Sequence, residues 1–484
     1  MYFCKYFPAA TGIILFPLIL TFAFGCRYTA GQVVELMPHM TARDSVRSPP
    51  GTVMPVDSLD SAYRNVAVKP VRTFYQKRHE RLFWISGLRR SVAADSLIAF
   101  IENVRYFGLL PSNYHLTEIR GLKGKLNSAK SIYRLEALLT DAYLEVSRNI
   151  RLGKAIESTD QQDSVTISSL EGYVQGGALQ DWITLAEPSF FGYRSLKRGL
   201  EQLIDSLPTD QRNAVLSCSP LLADDLREKM RIIAINLERW RSEKVAFGTR
   251  YIFVNIPAFT LYVVENDSVI LESRIIVGTP KTPTPVLSSM VECFVTYPYW
   301  HVPRKIAVEE YLPMIQRDTT FIERNNFDVL DRKGNLINPD SVDWKRFNKN
   351  NFPVSLRQRE GKDNALGIIK FLFDNPYAVF LHDTNAKRLF MSKARAFSHG
   401  CIRMEKAIEL AYYLVSGDLN KKSRDVERYL KEERRHSIEL RNPIPIFVRY
   451  YTCDFDNLEL KYYKDIYGKD RPVGDILYMS ISDH

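Results

Sequence analysis

The spacing of the apolar residues changes once, near residue 250, and this limits the chain to a helical half followed by a mostly β half. From about residue 71, apolar residues recur every three or four positions, clearly over 93–107 and again over 133–150, 191–206 and 221–243. Gly108 and Pro111 mark the end of the helix that starts near 93. Beyond 250 the runs 251–257, 259–264 and 269–277 read as strands, and Asn266-Asp267-Ser268 reads as a hairpin turn. Further strands are expected at 293–303, 367–373, 378–381 and 443–451, with helices at 404–417 and about 423–435. Residues 304–355 are polar with scattered apolar positions, and read as an excursion from the β domain. The expected fold is α+β: a mostly helical scaffold domain over 71–248, a mostly β domain over 249–452 with an insertion at 304–355, and a C-terminal extension over 453–484.

The N-terminal segment has its own logic. Lys5 precedes an apolar run over 11–25, a charged n-region and h-region that direct the chain out of the cytoplasm (segment 1–25). Small residues at Ala23 and Gly25 before Cys26 form a loose lipobox, which points to lipidation at Cys26 and a membrane anchor. An uncleaved signal anchor and simple secretion are the alternatives. Pro17 and the shortness of the run argue against a stable span. Residues 26–70 carry Pro, Ser, Asp and Thr without apolar periodicity and read as a flexible tether with a reach of roughly 35–40 Å.

Charge and cysteine usage narrow the function. The formal net charge is +10, but basic residues are mixed with acids, as in 431–435, and no dense basic tract alternates with aromatics. Nucleic acid is therefore not an expected partner, whereas a polymer rich in carboxylates suits the charge. Cysteines fall at 4, 26, 218, 293, 401 and 453 with no Cys-x-x-Cys pair, so neither a structural zinc nor another cofactor is expected.

Residues 382–404 concentrate the chemistry. Cys401 follows Gly400, precedes a helical pattern, and has His399 two positions before it and His382 at the end of a strand. A thiol on a tight turn with a base on a neighbouring element is the layout of a nucleophile. The expected helix from 404 would lower the thiol pKa, and the N–H groups of Gly400 and Cys401 could face an oxyanion. The carbonyl of Asp383 is a candidate partner for the second nitrogen of His382.

Ser398-His399-Gly400-Cys401-Ile402-Arg403, with His382-Asp383-Thr384 upstream, resembles the signature of YkuD-type L,D-transpeptidases. Wider similarity to the large YcbB-like branch runs through Asn236–Arg241, Val254–Pro257, Thr284–Val286, Trp300–Pro303, Leu356–Gln358, Asn364–Phe371 and, in the helical half, Gly108–Tyr114. The resemblance implies an envelope enzyme that makes 3→3 cross-links in peptidoglycan through a thioester on Cys401, with His382 as base. It implies that His399 and Gly400 shape the Cys401 turn, that Ser398 braces it, and that Arg403 holds a carbonyl or a carboxylate unless it bonds backbone. Trp300 would line the cleft or pack in the core. The insertion would be a capping subdomain, and sensitivity to carbapenems would follow.

The implied partners are a donor tetrapeptide and an acceptor stem, for a monomer held in the periplasm by its anchor. L,D-carboxypeptidase activity would use the same nucleophile and base, and a non-catalytic wall-binding lipoprotein remains a further reading. Two departures stand out. Only about residues 205–228 occupy the place of the branch's wall-binding module, and Arg359-Glu360-Gly361-Lys362 stands where a Pro-Gly-Pro-like turn is expected.

Overall fold

The computed structural model describes residues 66–478 except 123, 157–158, 176–178 and 417–421. The targeting segment 1–25, Cys26 and the tether up to residue 65 lie outside the described residues. The first helix, Val68–Lys77, starts slightly before the expected scaffold boundary.

The helical half is built around α1 (Ala129–Leu152), which opens on a reciprocal Ser128–Ser131 cap and buries one long face. The expected helix at 93–107 is shorter. It runs Val92–Glu102 and continues as a 3-10 turn, Val104–Phe107, before Gly108 turns left-handed at φ 69°. Gly108 is also where the chain approaches α2 (Asp224–Arg241), since a Cβ there would lie 3.1 Å from the Ala234 backbone. Glu136 on α1 is fully buried. Its carboxylate accepts from the Phe83 N–H, from Trp84 N–H at 3.0 Å and from Tyr75 Oη at 3.0 Å.

The β half is a nine-stranded sheet. In chain order its strands are β1 (Arg250–Asn255), β2 (Thr260–Glu265), β3 (Ser268–Gly278), β4 (Leu287–Thr296), β5 (Ile369–Phe373), β6 (Leu381–His382), β7 (Ala396–Ser398), β8 (Ile402–Met404) and β9 (His436–Arg449). Spatially the order is β7-β3-β8-β6-β5-β4-β9-β1-β2, and β2 also pairs with β3, so the sheet closes on itself. Asn266 and Asp267 both take positive φ, 49° and 59°, as a two-residue hairpin turn requires. Ile252, Val254, Leu261, Ile275, Phe294, Phe371, Leu381, Ile402 and Met404 fill the interior together with α3 (Ala407–Ser416).

Two expectations need correction. Residues 402–404 are a strand, so the helix expected from 404 begins only at Ala407. The insertion at 304–355 is more than a polar excursion. It has its own core of Ile306, Leu312, Ile315, Ile322, Phe327, Trp344 and Phe352, and its own four-stranded sheet of Trp300–His301, Ser355–Gln358, Phe327–Leu330 and Leu336–Ile337. Its apolar residues were hard to see because short helices and short strands alternate there, so neither period persists.

The C-terminal extension is a clasp between the two halves. Its hairpin, Cys453–Asp456 with Glu459–Tyr462, packs Phe455 against Gly199 of the helix Phe191–Asp205, and its final helix, Asp470–Tyr478, lays Leu477 beside Ala234 and Ile235 of α2. Polar bonds reinforce the seam. Asn236 Nδ2 donates to Thr452 Oγ1 at 2.9 Å, and Thr452 N–H donates to Asn236 Oδ1 at 2.8 Å. Thr452 Oγ1 in turn donates to Asp470 at 3.0 Å, and Arg239 pairs with Asp470 at 2.8 Å.

Candidate active site

Strand register brings the sequence-selected residues together. β6 runs parallel to β8 with His382 opposite Arg403, and Phe380 C=O accepts from Ile402 N–H at 3.1 Å. Side chains alternate along a strand, so Leu381, Ile402 and Met404 enter the core while His382, Cys401 and Arg403 share the other face. On the next strand, β5, Lys370 lies opposite His382 on that same face. Phe380 also belongs to it, with its ring 5.4 Å from that of His382.

The Cys401 turn is braced from several sides. Gly400 takes φ 113°, a region that favours glycine. Ser398 Oγ donates to the Cys401 carbonyl at 2.5 Å and accepts from Gly400 N–H at 3.2 Å. These two bonds tie Ser398 to the backbone on both sides of the turn. Gly400 N–H is engaged by that hydroxyl, which removes one of the two N–H groups assigned to an oxyanion. Thr284 Oγ1 donates to the Gly400 carbonyl at 2.8 Å, and Thr279 N–H donates to the Ser398 carbonyl at 3.0 Å. Tyr467, from the C-terminal clasp, closes the far side of this loop by donating to the Gly278 carbonyl at 2.7 Å.

His382 is buried, and its Nδ1 meets the Asp383 carbonyl at 2.5 Å, the partner the sequence suggested. That contact fixes the proton on Nδ1 and leaves Nε2 with its lone pair. Burial, aided by the positive charge of Arg403, pushes the imidazole pKa down to about 3, so the ring is neutral over the physiological range. Asp383 is held in turn: its carboxylate pairs with Lys387 and accepts from Ile368 N–H at 3.1 Å. Gly367 permits this approach, because a Cβ there would lie 2.3 Å from Asp383 Oδ2.

Burial pushes the Cys401 thiol pKa up, against the pull of the Phe380 N–H and of Lys370 and Arg403. The expected low-pKa thiolate at a helix N-terminus is therefore corrected, since the strand β8 separates Cys401 from α3. Burial thus favours the neutral form of both the thiol and the imidazole.

The insertion reaches the site through Glu310 and Tyr311. His399 Nε2 meets Glu310 Oε1 at 2.6 Å, both side chains half-exposed, so His399 ties the Cys401 turn to the insertion. Tyr311 faces Arg403; burial first, then Glu310, pushes its phenol up to about 12. Trp300 packs edge-on against Tyr311 at 6.1 Å and near Phe327, inside the insertion's aromatic cluster. Arg403 makes no hydrogen bond to backbone among the described residues, and its Nε is buried without a partner. Lys370, Glu310 and Tyr311 escaped the sequence reading. A lone lysine in the strand run Ile368-Ile369-Lys370-Phe371-Leu372-Phe373 was the available signal for the first of them.

Residues 249–426 match the L,D-transpeptidase catalytic domain family, YkuD, and residues 69–200 match the family described as Scaffold domain. The chain carries a YkuD-type L,D-transpeptidase catalytic domain behind a helical scaffold domain. A Haemophilus influenzae protein named as a candidate L,D-transpeptidase is 38% identical over 224 residues, which is 46% of this chain and 45% of that protein. The match thus spans about half the length of that curated relative. Among solved structures, a mutant L,D-transpeptidase of Enterococcus faecium aligns at TM-score 0.21 and 13% identity, covering 42% of this chain and 50% of its own. An L,D-transpeptidase from Mycobacterium smegmatis aligns at TM-score 0.20 and 14% identity, covering 42% and 58%. The L,D-transpeptidase domain rests on the family match and on the closed sheet that presents residues 398–403.

Proposed function

We propose that this protein is a peptidoglycan L,D-transpeptidase that forms 3→3 cross-links between diaminopimelate residues, with Cys401 as nucleophile and His382 as base. The observation that carries the proposal is the shared sheet face. Within the L,D-transpeptidase domain it sets a neutral imidazole, held through Nδ1 by the Asp383 carbonyl, beside a thiol at the entry to the adjacent parallel strand.

In the first half-reaction Cys401 Sγ bonds to the carbonyl carbon of diaminopimelate, and its proton passes to His382 Nε2. The C–N bond to the terminal D-Ala breaks, the imidazolium returns the proton to the leaving amine, and a thioester remains. In the second, the side-chain amine of an acceptor stem attacks the thioester. His382 takes the amine proton and restores the thiol, and the new amide closes the cross-link. The Asp383 carbonyl holds the imidazole tautomer throughout. Arg403, without a counter-ion among the described residues, supplies positive charge toward substrate.

The insertion acts as a cap over the cleft, hinged by the His399–Glu310 contact. Equal hydrogen-exchange protection in the insertion and in the barrel strands would count against a moving cap. The apolar run over 11–25 and Cys26 support a periplasmic lipoprotein that acts on stem peptides, and the thiol of Cys401 is the group carbapenems would acylate.

The test is mass spectrometry after incubation with disaccharide tetrapeptide, beside the Cys401→Ala variant. A 3→3 dimer with release of D-Ala, absent in the variant, is the expected result. Tripeptide alone would move the assignment to L,D-carboxypeptidase. No product and no acyl adduct on Cys401 would overturn the enzymatic reading and favour a wall-binding protein.

A further inference from the structure

Two cations share the face of Cys401 with no counter-ion among the described residues. Lys370 on β5 lies opposite His382 on β6, which lies opposite Arg403 on β8, so the three side chains run across adjacent strands. Lys370 is half-buried, and its ammonium rests over the Phe380 ring at 3.7 Å. Neither it nor Arg403 has an ion pair or hydrogen bond among the described residues, and Arg403 Nε is buried without a partner. The carboxylates of this region are committed elsewhere: Glu310 to His399, Asp383 to Lys387, and Asp328 to both Arg357 and Arg359. A charge sunk in protein without a counter-ion is costly, and the flanking residues of β5 are apolar. The missing component is an anion.

The proposed chemistry says which one. When Cys401 takes the scissile carbonyl, the nitrogen of the departing residue must lie over His382, because His382 returns a proton to it. The strand after His382, moving away from Cys401, carries Lys370. The carboxylate of the departing residue follows its nitrogen by one carbon, so it falls on the Lys370 side.

We propose that Lys370, seconded by Arg403 across His382, binds the terminal carboxylate of the donor's leaving residue. It thereby makes a free C-terminal carboxylate the mark of a good donor. The inference rests on the assignment of Cys401 and His382 above. It makes Lys370 a specificity-determining residue rather than a proton carrier, and it excludes donors extended or capped at that terminus.

The experiment compares disaccharide tetrapeptide with the same donor amidated at its C-terminus, using the full chain, Lys370→Met and Lys370→Arg. The native enzyme should release the terminal residue from the free acid with a kcat/KM about 10- to 100-fold higher than from the amide, the scale of a hydrogen bond to a charged group. Lys370→Met should bring that ratio near unity, mainly through KM for the acid, and Lys370→Arg should keep most of it. Equal use of both donors by the native enzyme would overturn the inference, as would an equal loss on both donors in Lys370→Met.

Binding to Cys401→Ala separates this inference from the catalytic one. Calorimetry should show preference for the acid over the amide, lost when Lys370→Met is added. Equal binding of the two peptides overturns the carboxylate site even if turnover is normal. Turnover surviving in Cys401→Ala would instead overturn the nucleophile assignment, and the inference with it.

Discussion

Among the polar clusters withdrawn from solvent, two are built on opposite rules. At the seam, Asn236, Arg239, Thr452 and Asp470 satisfy one another in a closed set of bonds that joins α2 to the C-terminal clasp. On the face beside Cys401, Lys370 and Arg403 have no counter-ion among the described residues, and His382 is stripped of its charge by burial. A closed set rigidifies and asks for nothing further. An open set holds its electrostatic potential for a ligand, at a cost in stability that the rest of the fold must offset. Glu136 in the scaffold belongs with the first kind: its carboxylate gathers the Phe83, Trp84 and Tyr75 donors onto α1.

The contrast can be broken by substitution, most severely at the open cluster. His382→Ala should lower kcat by about 10²- to 10⁴-fold, the usual worth of a positioned general base, with little change in donor affinity. Steady-state kinetics on the tetrapeptide checks this, and a variant that retains near-native kcat would remove His382 from the mechanism. Next in size, Glu136→Leu should cost about 3–5 kcal/mol of stability, because it leaves several buried donors unpaired. Urea unfolding reads that loss, and activity per folded molecule should not follow it. If activity falls in proportion, Glu136 bears on the site as well as on the stability of the scaffold.

The third effect is a pH dependence. The folded-state pKa of His382 is depressed to about 3, below its ordinary value of 6.5, so the unfolded chain binds more protons between these values. Stability from this group is complete above about pH 6.5 and is lost as pH falls toward 3. His382→Gln should flatten that part of the stability profile. The same depression predicts that kcat/KM shows no inflection near pH 6.5 from this imidazole; one that disappeared with His382 would contradict the neutral dyad.

Smallest is Glu310→Gln. The His399–Glu310 pair is half-exposed, so the melting temperature should barely move, in keeping with the 0–1 kcal/mol typical of such pairs. A modest rise in KM with faster hydrogen exchange in the insertion would support the hinge. No change in either would leave the contact without a role in capping.

The legible part of the site was local. Cys401, His382, Ser398 and Gly400 stand in a short motif whose chemistry can be read from residue types, and the Asp383 carbonyl follows His382 directly in the chain. Lys370 was not legible in the same way. It lies 12 positions before His382, and only the antiparallel pairing of β5 with β6 sets the two side by side. Glu310 was hidden further off: its contact with His399 spans 89 residues and runs through an insertion whose short elements hold no steady period.

By itself, then, the sequence determined the order of a helical half and a β half, because apolar spacing is a local property that survives without tertiary knowledge. It also singled out Cys401, His382 and the Gly400 turn as the residues on which the proposed chemistry rests. What only the tertiary structure decided was the protonation state of that pair. Burial raised the thiol pKa and lowered the imidazole pKa, reversing the thiolate expected from a helix that in fact starts at Ala407. Desolvation depends on everything packed around a group, and a linear chain does not carry that sum.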